Sequence, residues 1–172
     1  MKKTPVLWVE DSARFELANF MGPIYASRKY ELTLAEDATA ATRYLHTIKF
    51  DAIIMDIRIP PGRDRHWSAL YQRAGSDKTT AQLGLVLLTW LLRHDYFNSN
   101  GLLKPIPVKP SQVGVFSVEG ELEIGRQVKD LGISVFLEKR PGLRDTTLRE
   151  LIDTVLGQGK ILQGEGSVVD TV

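Results

Sequence analysis

The chain has 172 residues, enough for one domain with its own core and too few for a second of ordinary size. Hydrophobic residues make up 43% and charged residues 25%, the balance of a chain that folds in water rather than one that is disordered or lies in a bilayer. Lys and Arg number 22 against 21 Asp and Glu, so the net charge of +1 gives no footprint for nucleic acid or an anionic membrane; the absence of Cys excludes thiol nucleophiles and thiolate metal sites and fits the cytoplasm.

In chain order, residues 6–9 are a short apolar strand that stops on two acids, Glu10 and Asp11, after which Ser12 is expected to cap a helix to about residue 21. Residues 30–35 alternate polar with apolar and read as a second strand; Asp37 then caps a helix over 38–48. Residues 50–57 hold the run Ala52, Ile53, Ile54, Met55, apolar on consecutive positions as in a strand covered on both faces, and this strand too meets an acid, Asp56. The stretch 63–79 is polar and predicts mainly loop, 80–94 predicts a helix, and Asn98, Asn100, Gly101, Pro105, Pro107 and Pro110 predict a second loop over about 96–111. A fourth strand over 113–118 carries Ser117, and a helix over 121–131 is closed by Gly132. A fifth strand over 133–137 delivers Lys139, and an amphipathic helix runs from about residue 144 to 156 until Gly157 stops it. Residues 1–157 are thus expected to form one α/β domain, an open five-stranded parallel sheet with helices on both faces, and 158–172 a flexible tail.

Ligands of such sheets bind outside the carboxyl ends of the strands. That edge collects Glu10, Asp11, Asp56, Ser117 and Lys139. Clustered carboxylates repel unless a cation joins them, and an all-oxygen site with room for water suits Mg²⁺. With the cluster neutralised, Asp56 can attack phosphorus as a carboxylate nucleophile, while Lys139 offsets charge on the phosphoryl oxygens and the Ser117 hydroxyl donates to one of them. Each residue taken singly has a plainer reading: Glu10 and Asp11 as helix-capping acids, Asp56 as a loop acid, Lys139 as a solvated cation, and Ser134 as a competitor for Ser117. Their order and their common place at strand ends favour the joint reading. His46, His66 and His94 lack metal-ligand spacing and are assigned nothing.

The acid pair in Val6-Leu-Trp-Val-Glu-Asp11, the acid ending Asp51-Ala-Ile-Ile-Met-Asp56 with Pro60 following, Ser117 and Lys139 together resemble the receiver domains of bacterial response regulators over nearly the whole chain. The resemblance implies the CheY-like strand order 2-1-3-4-5. It also implies a Mg²⁺ site made by Glu10, Asp11, Asp56 and the main-chain carbonyl of Arg58, phosphorylation of Asp56, and readout through Ser117 and the aromatic switch residue Phe136. The partners implied are a histidine kinase or histidine phosphotransfer protein and a downstream protein target, with a homodimer also open and neither nucleic acid nor membrane involved.

The chain departs from that pattern in three ways. Sixty residues separate Asp56 from Ser117, where a βαβ unit needs only ~30, which assigns inserted loops to about 63–79 and 96–111; the first is expected to modify access to Asp56 or to form a partner surface. Val118 follows Ser117 where the family has a smaller residue, and the family's Lys-Pro pair is here Lys139-Arg140-Pro141. Three functions compete. The leading one is a stand-alone receiver that is not an enzyme acting on a separate substrate; the second is a pseudo-receiver that binds a partner unphosphorylated. The third is an aspartate-nucleophile phosphohydrolase of the haloacid-dehalogenase kind, which ranks last because the acid expected two positions after the nucleophile is Arg58.

Overall fold

The computed structural model describes residues 1–73, 82–96 and 101–165, with side chains to residue 158. Strands β1 (Thr4–Val9), β2 (Tyr30–Ala35), β3 (Ala52–Met55), β4 (Val113–Ser117) and β5 (Val135–Glu138) pair in parallel in the order β2-β1-β3-β4-β5. The helices are α1 (Met21–Ser27), α2 (Ala38–Thr47), α3 (Arg65–Arg73), α4 (Leu83–Leu92), α5 (Glu121–Asp130) and α6 (Thr147–Glu165). The consecutive apolar runs split by strand alternation. Leu7, Val9, Ile53, Met55, Val113 and Val115 pack in the cluster that takes in α2, α3, α4 and α5. Val6, Trp8, Ile54 and Phe116 pack with α1 and α6 through Ile24, Leu148, Ile152 and Val155. A sheet buried on both faces needs apolar residues at both parities, which is what β1 and β3 supply.

Three local expectations are corrected. No continuous helix runs from Ser12 to Met21: residues 11–17 form turns, a 3₁₀ turn spans Ala18–Phe20, and α1 starts at Met21. The Ser12 N–H donates to Glu10 Oε1 at 3.1 Å rather than entering a helix. Pro23, which fits a first turn, would clash with the carbonyl four residues back if the helix had begun earlier.

The stretch 63–79 is not mainly loop, since residues 65–73 are α3; residues 74–81 lie outside the described residues. Asp64 starts α3 by accepting from the His66 N–H at 2.8 Å, and the fully buried Trp67 anchors it, its indole N–H donating to Thr42 Oγ of α2 at 3.0 Å. Of the second insertion, residues 97–100 lie outside the described residues and 101–109 are irregular as expected, yet they are tied to the body. Trp90 donates to the Leu103 carbonyl, and the Ile106 N–H to the Leu45 carbonyl, both at 2.9 Å. Finally, the last helix is not stopped by Gly157 but continues to Glu165, and residues 166–172 lie outside the described residues. A helical glycine costs ~1 kcal/mol, which is not a stop signal unless the chain turns left-handed there; Gln158 just beyond it is held by Ser134 Oγ at 2.7 Å.

Candidate functional site

Parallel strands end on one edge, so residues that follow them meet there. Val9 pairs with Met55, which sets the next residues, Glu10 and Asp56, side by side. Lys139 follows β5, and its N–H donates to the Ser117 carbonyl at 2.7 Å. The structure brings Glu10, Asp11, Asp56, Arg58 and Lys139 to the wall of one cleft of about 380 Å³, joined there by Glu16, Leu17, Val118 and Arg140. Ser117 is fully buried at the end of β4 and does not line this cleft; its Oγ accepts from the Glu119 N–H at 3.2 Å, and its neighbour Val118, 53% exposed, occupies the rim instead. Phe136 lies further back on β5, half-buried and packed against the cluster under α2, α4 and α5.

Within the cleft Asp56 is 4% exposed and its two oxygens are separately engaged: Oδ1 accepts from the Ile57 N–H at 2.7 Å, and Oδ2 lies 3.1 Å from Lys139 Nζ. Lys139 also bridges to Glu10 and sits 5.4 Å from the centre of the Phe116 ring, so one ammonium is held between two buried carboxylates and an aromatic face. Burial pushes the Glu10 carboxyl up to about 8; the Asp56 charge adds to the rise, and Lys139 works against it. One buried cation does not neutralise the cluster.

One oxygen from each of Glu10, Asp11 and Asp56 fits within a span of 4.8 Å, so these three can share an ion. All the donors are carboxylate oxygens and Asp11 is exposed, which fits a hard divalent cation that keeps part of its water. The residues present therefore suit a Mg²⁺-type ion. Every described peptide bond, Lys139–Arg140 included, is trans.

Two residues of this edge escape sequence reasoning. Gly84 in the first turn of α4 lies against the acceptor loop: its N–H donates to the Ile57 carbonyl at 2.9 Å, and a Cβ there would stand 2.1 Å from the Asp56 carbonyl oxygen. The available signal was an isolated glycine inside an apolar helical run, which often marks a close approach. Glu119, 6% exposed, pairs with Arg58 Nε at 2.5 Å across a sequence separation of 61, for which the sequence carries no local signal.

Neither a protein-family model nor a curated protein matches the sequence. Solved structures do match the fold. A CheY-like response regulator receiver domain protein from Methanospirillum hungatei superposes with a TM-score of 0.57 at 16% identity, covering 93% of this chain and 99% of that one. The receiver domain of response regulator 1452 from Francisella gives 0.55 at 16% identity, covering 91% and 99%. A response regulator from Burkholderia pseudomallei, itself solved with a phosphorylated aspartic acid, a calcium ion and citrate, gives 0.52 at 16% identity, covering 99% and 76%. With the strand order β2-β1-β3-β4-β5 and these likenesses over nearly its whole length, the chain has the CheY-like fold of response regulator receiver domains.

Proposed function

We propose that the protein is a signalling receiver that takes a phosphoryl group onto Asp56 from a histidine kinase or histidine phosphotransfer protein, with Mg²⁺ as cofactor, and acts through protein contacts. The observation that carries this reading is the single cleft in which a buried Asp56, Lys139 and the acid pair Glu10 and Asp11 meet. An Asp56 carboxylate oxygen forms the new O–P bond while the donor's bond to phosphorus breaks, and the donor leaves with that electron pair. Lys139, 3.1 Å from Oδ2, holds the carboxylate in place and then sits beside the added negative charge. Ser117 keeps its hydroxyl proton, because its Oγ accepts the Glu119 N–H, and donates it to a phosphoryl oxygen only after the end of β4 shifts to bring the buried hydroxyl past Val118 to the cleft. Glu10, Asp11, Asp56 and the Arg58 carbonyl would hold a divalent ion, which would supply charge neutralisation for the transfer. Phe136 senses the change on β5.

Among the described residues no helix is long and apolar enough to cross a membrane. The test is incubation with Mg²⁺ and acetyl phosphate followed by intact-mass measurement. One phosphoryl group should be gained by wild type and none by Asp56→Asn. A second reading, a module that binds its partner unphosphorylated, draws on Ser117 lying off the cleft wall and Val118 at its rim; no gain by wild type under any donor would favour it.

A further inference from the structure

The Lys139 ammonium has a neighbour besides Glu10 and Asp56, and that neighbour is neutral: Nζ stands over the Phe116 ring, 5.4 Å from its centre. Strand alternation explains the meeting. Phe116 pairs with Leu137 in the register of β4 and β5, and Lys139, two residues on, leaves the same face of the sheet. The Lys139 N–H bond to the Ser117 carbonyl carries the ladder that far. The ring cannot swing away, because Phe116 is fully buried and Phe20 packs on it edge to face, with centres 5.7 Å apart and planes at 73°. The ammonium is nearly dry, its side chain 12% exposed, which is the setting in which an aromatic face attracts a cation most strongly.

A ring and a carboxylate hold a cation differently. A carboxylate neutralises the charge it holds, whereas the negative face of a ring attracts the ammonium and leaves its full charge for another partner. Resting on the reading of Asp56 as acceptor, we propose that Phe116 is a positioning residue for phosphoryl transfer, its ring face seating the Lys139 ammonium beside Asp56. Once the carboxylate is bonded to phosphorus, the negative charge next to Lys139 passes to the phosphoryl oxygens, and the ammonium has to stay with it. Glu10, also paired with Lys139, draws the ammonium the other way. The ring acts against that retreat without neutralising any charge. An aliphatic side chain at position 116 would fill the strand and leave the cation with carboxylates alone.

The experiment replaces Phe116 by phenylalanines carrying one, two and three ring fluorines, introduced by nonsense suppression, because fluorine withdraws electron density from the ring face and barely changes its shape. Initial rates of loading by acetyl phosphate with saturating Mg²⁺ should fall step by step along the series, to about ten-fold below wild type with three fluorines. Urea unfolding without metal supplies a readout that a packing role would not give. The folding equilibrium should weaken by about three- to ten-fold along the series in the chain that has Lys139, and hold steady along it in Lys139→Met, where the contact with Phe20 is still made. Circular dichroism confirms the fold of each variant. Loading rates that do not change along the series overturn the proposal. A decline in stability as large in Lys139→Met as in the parent chain overturns it too, because the ring would then serve only the core. Wild type that fails to load overturns the acceptor reading and the positioning role with it, an outcome distinct from the other two.

Discussion

Replacing Gly84 by alanine requires α4 to admit a methyl group where backbone already stands. The added Cβ would lie 2.1 Å from the Asp56 carbonyl oxygen, 2.6 Å from Ile57 Cα and 2.9 Å from the Ile57 carbonyl oxygen. All three are main-chain atoms, so no side chain can turn aside, and either α4 or the acceptor loop must move. Overpacking of this kind costs ~1–3 kcal/mol. If α4 retreats, the Gly84 N–H loses the Ile57 carbonyl at 2.9 Å, adding about 1 kcal/mol. The gain in helix propensity, about 1 kcal/mol, offsets part of this. A net loss of ~2 kcal/mol lowers Tm by about 4–8 °C in a domain of this size. Gly157, inside α6 with nothing within 4 Å of its Cβ position, is the control. There the same substitution brings only propensity and a smaller unfolded-state entropy, a gain of ~0.5–1 kcal/mol and a rise of about 1–4 °C. Thermal and urea unfolding of the two variants decide the matter, since the sign should differ between them. Gly84→Ala as stable as wild type would show that the acceptor loop does not rest on α4, and the argument for how Asp56 is positioned would fail.

Three further outcomes follow from the packing and the charges. Tyr30 donates to Asp153, and burial, with that carboxylate second, pushes its phenol up to about 12. Its folded value lies above 10, so its contribution is fully present below pH 10 and lost as pH rises to about 12; Tyr30→Phe should flatten that decline in urea-unfolding experiments and lower stability by ~1 kcal/mol at neutral pH. Trp67→Phe removes the indole donor to Thr42 at 3.0 Å and part of a fully buried ring, and should cost about 1–3 kcal/mol, with amide exchange across α3 rising more than across the sheet. Lys139→Met leaves Glu10 and Asp56 without the ammonium between them; acetyl phosphate should then load Asp56 at least about a hundred-fold more slowly, and loading at the wild-type rate would remove Lys139 from the mechanism.

The sheet and α2 were legible because their signals are local: consecutive apolar residues in β1 and β3, alternation in β2, and Asp37 capping α2 through the Ala40 N–H at 2.7 Å. The acids and Lys139 were legible for the same reason, each standing just past an apolar run that must end at the sheet edge. Helix α3 was missed although Trp67, Leu70 and Tyr71 have helical spacing, because the arginines and the glycine and serine around them read as loop. The start of α1 was missed because Ser12 looks like a cap, while the backbone of the 11–17 turn answers to Glu10 and to Pro23. Glu119 was invisible for a different reason, and Gly84 showed only as an isolated glycine in an apolar run without its partner. A close approach of two backbones and an ion pair between loops are properties of the tertiary fold, and no window of sequence contains both partners.

The most direct test of the central claim is to trap the phosphorylated protein chemically. After loading with acetyl phosphate and Mg²⁺, borohydride reduces an aspartyl phosphate to homoserine, and peptide mass spectrometry locates the changed residue. The account predicts homoserine at position 56 and at no other acid, with the signal absent when Mg²⁺ is omitted. Modification at Asp11, at Glu10 or at a site outside the cleft, or none in a protein shown to be folded, would contradict it.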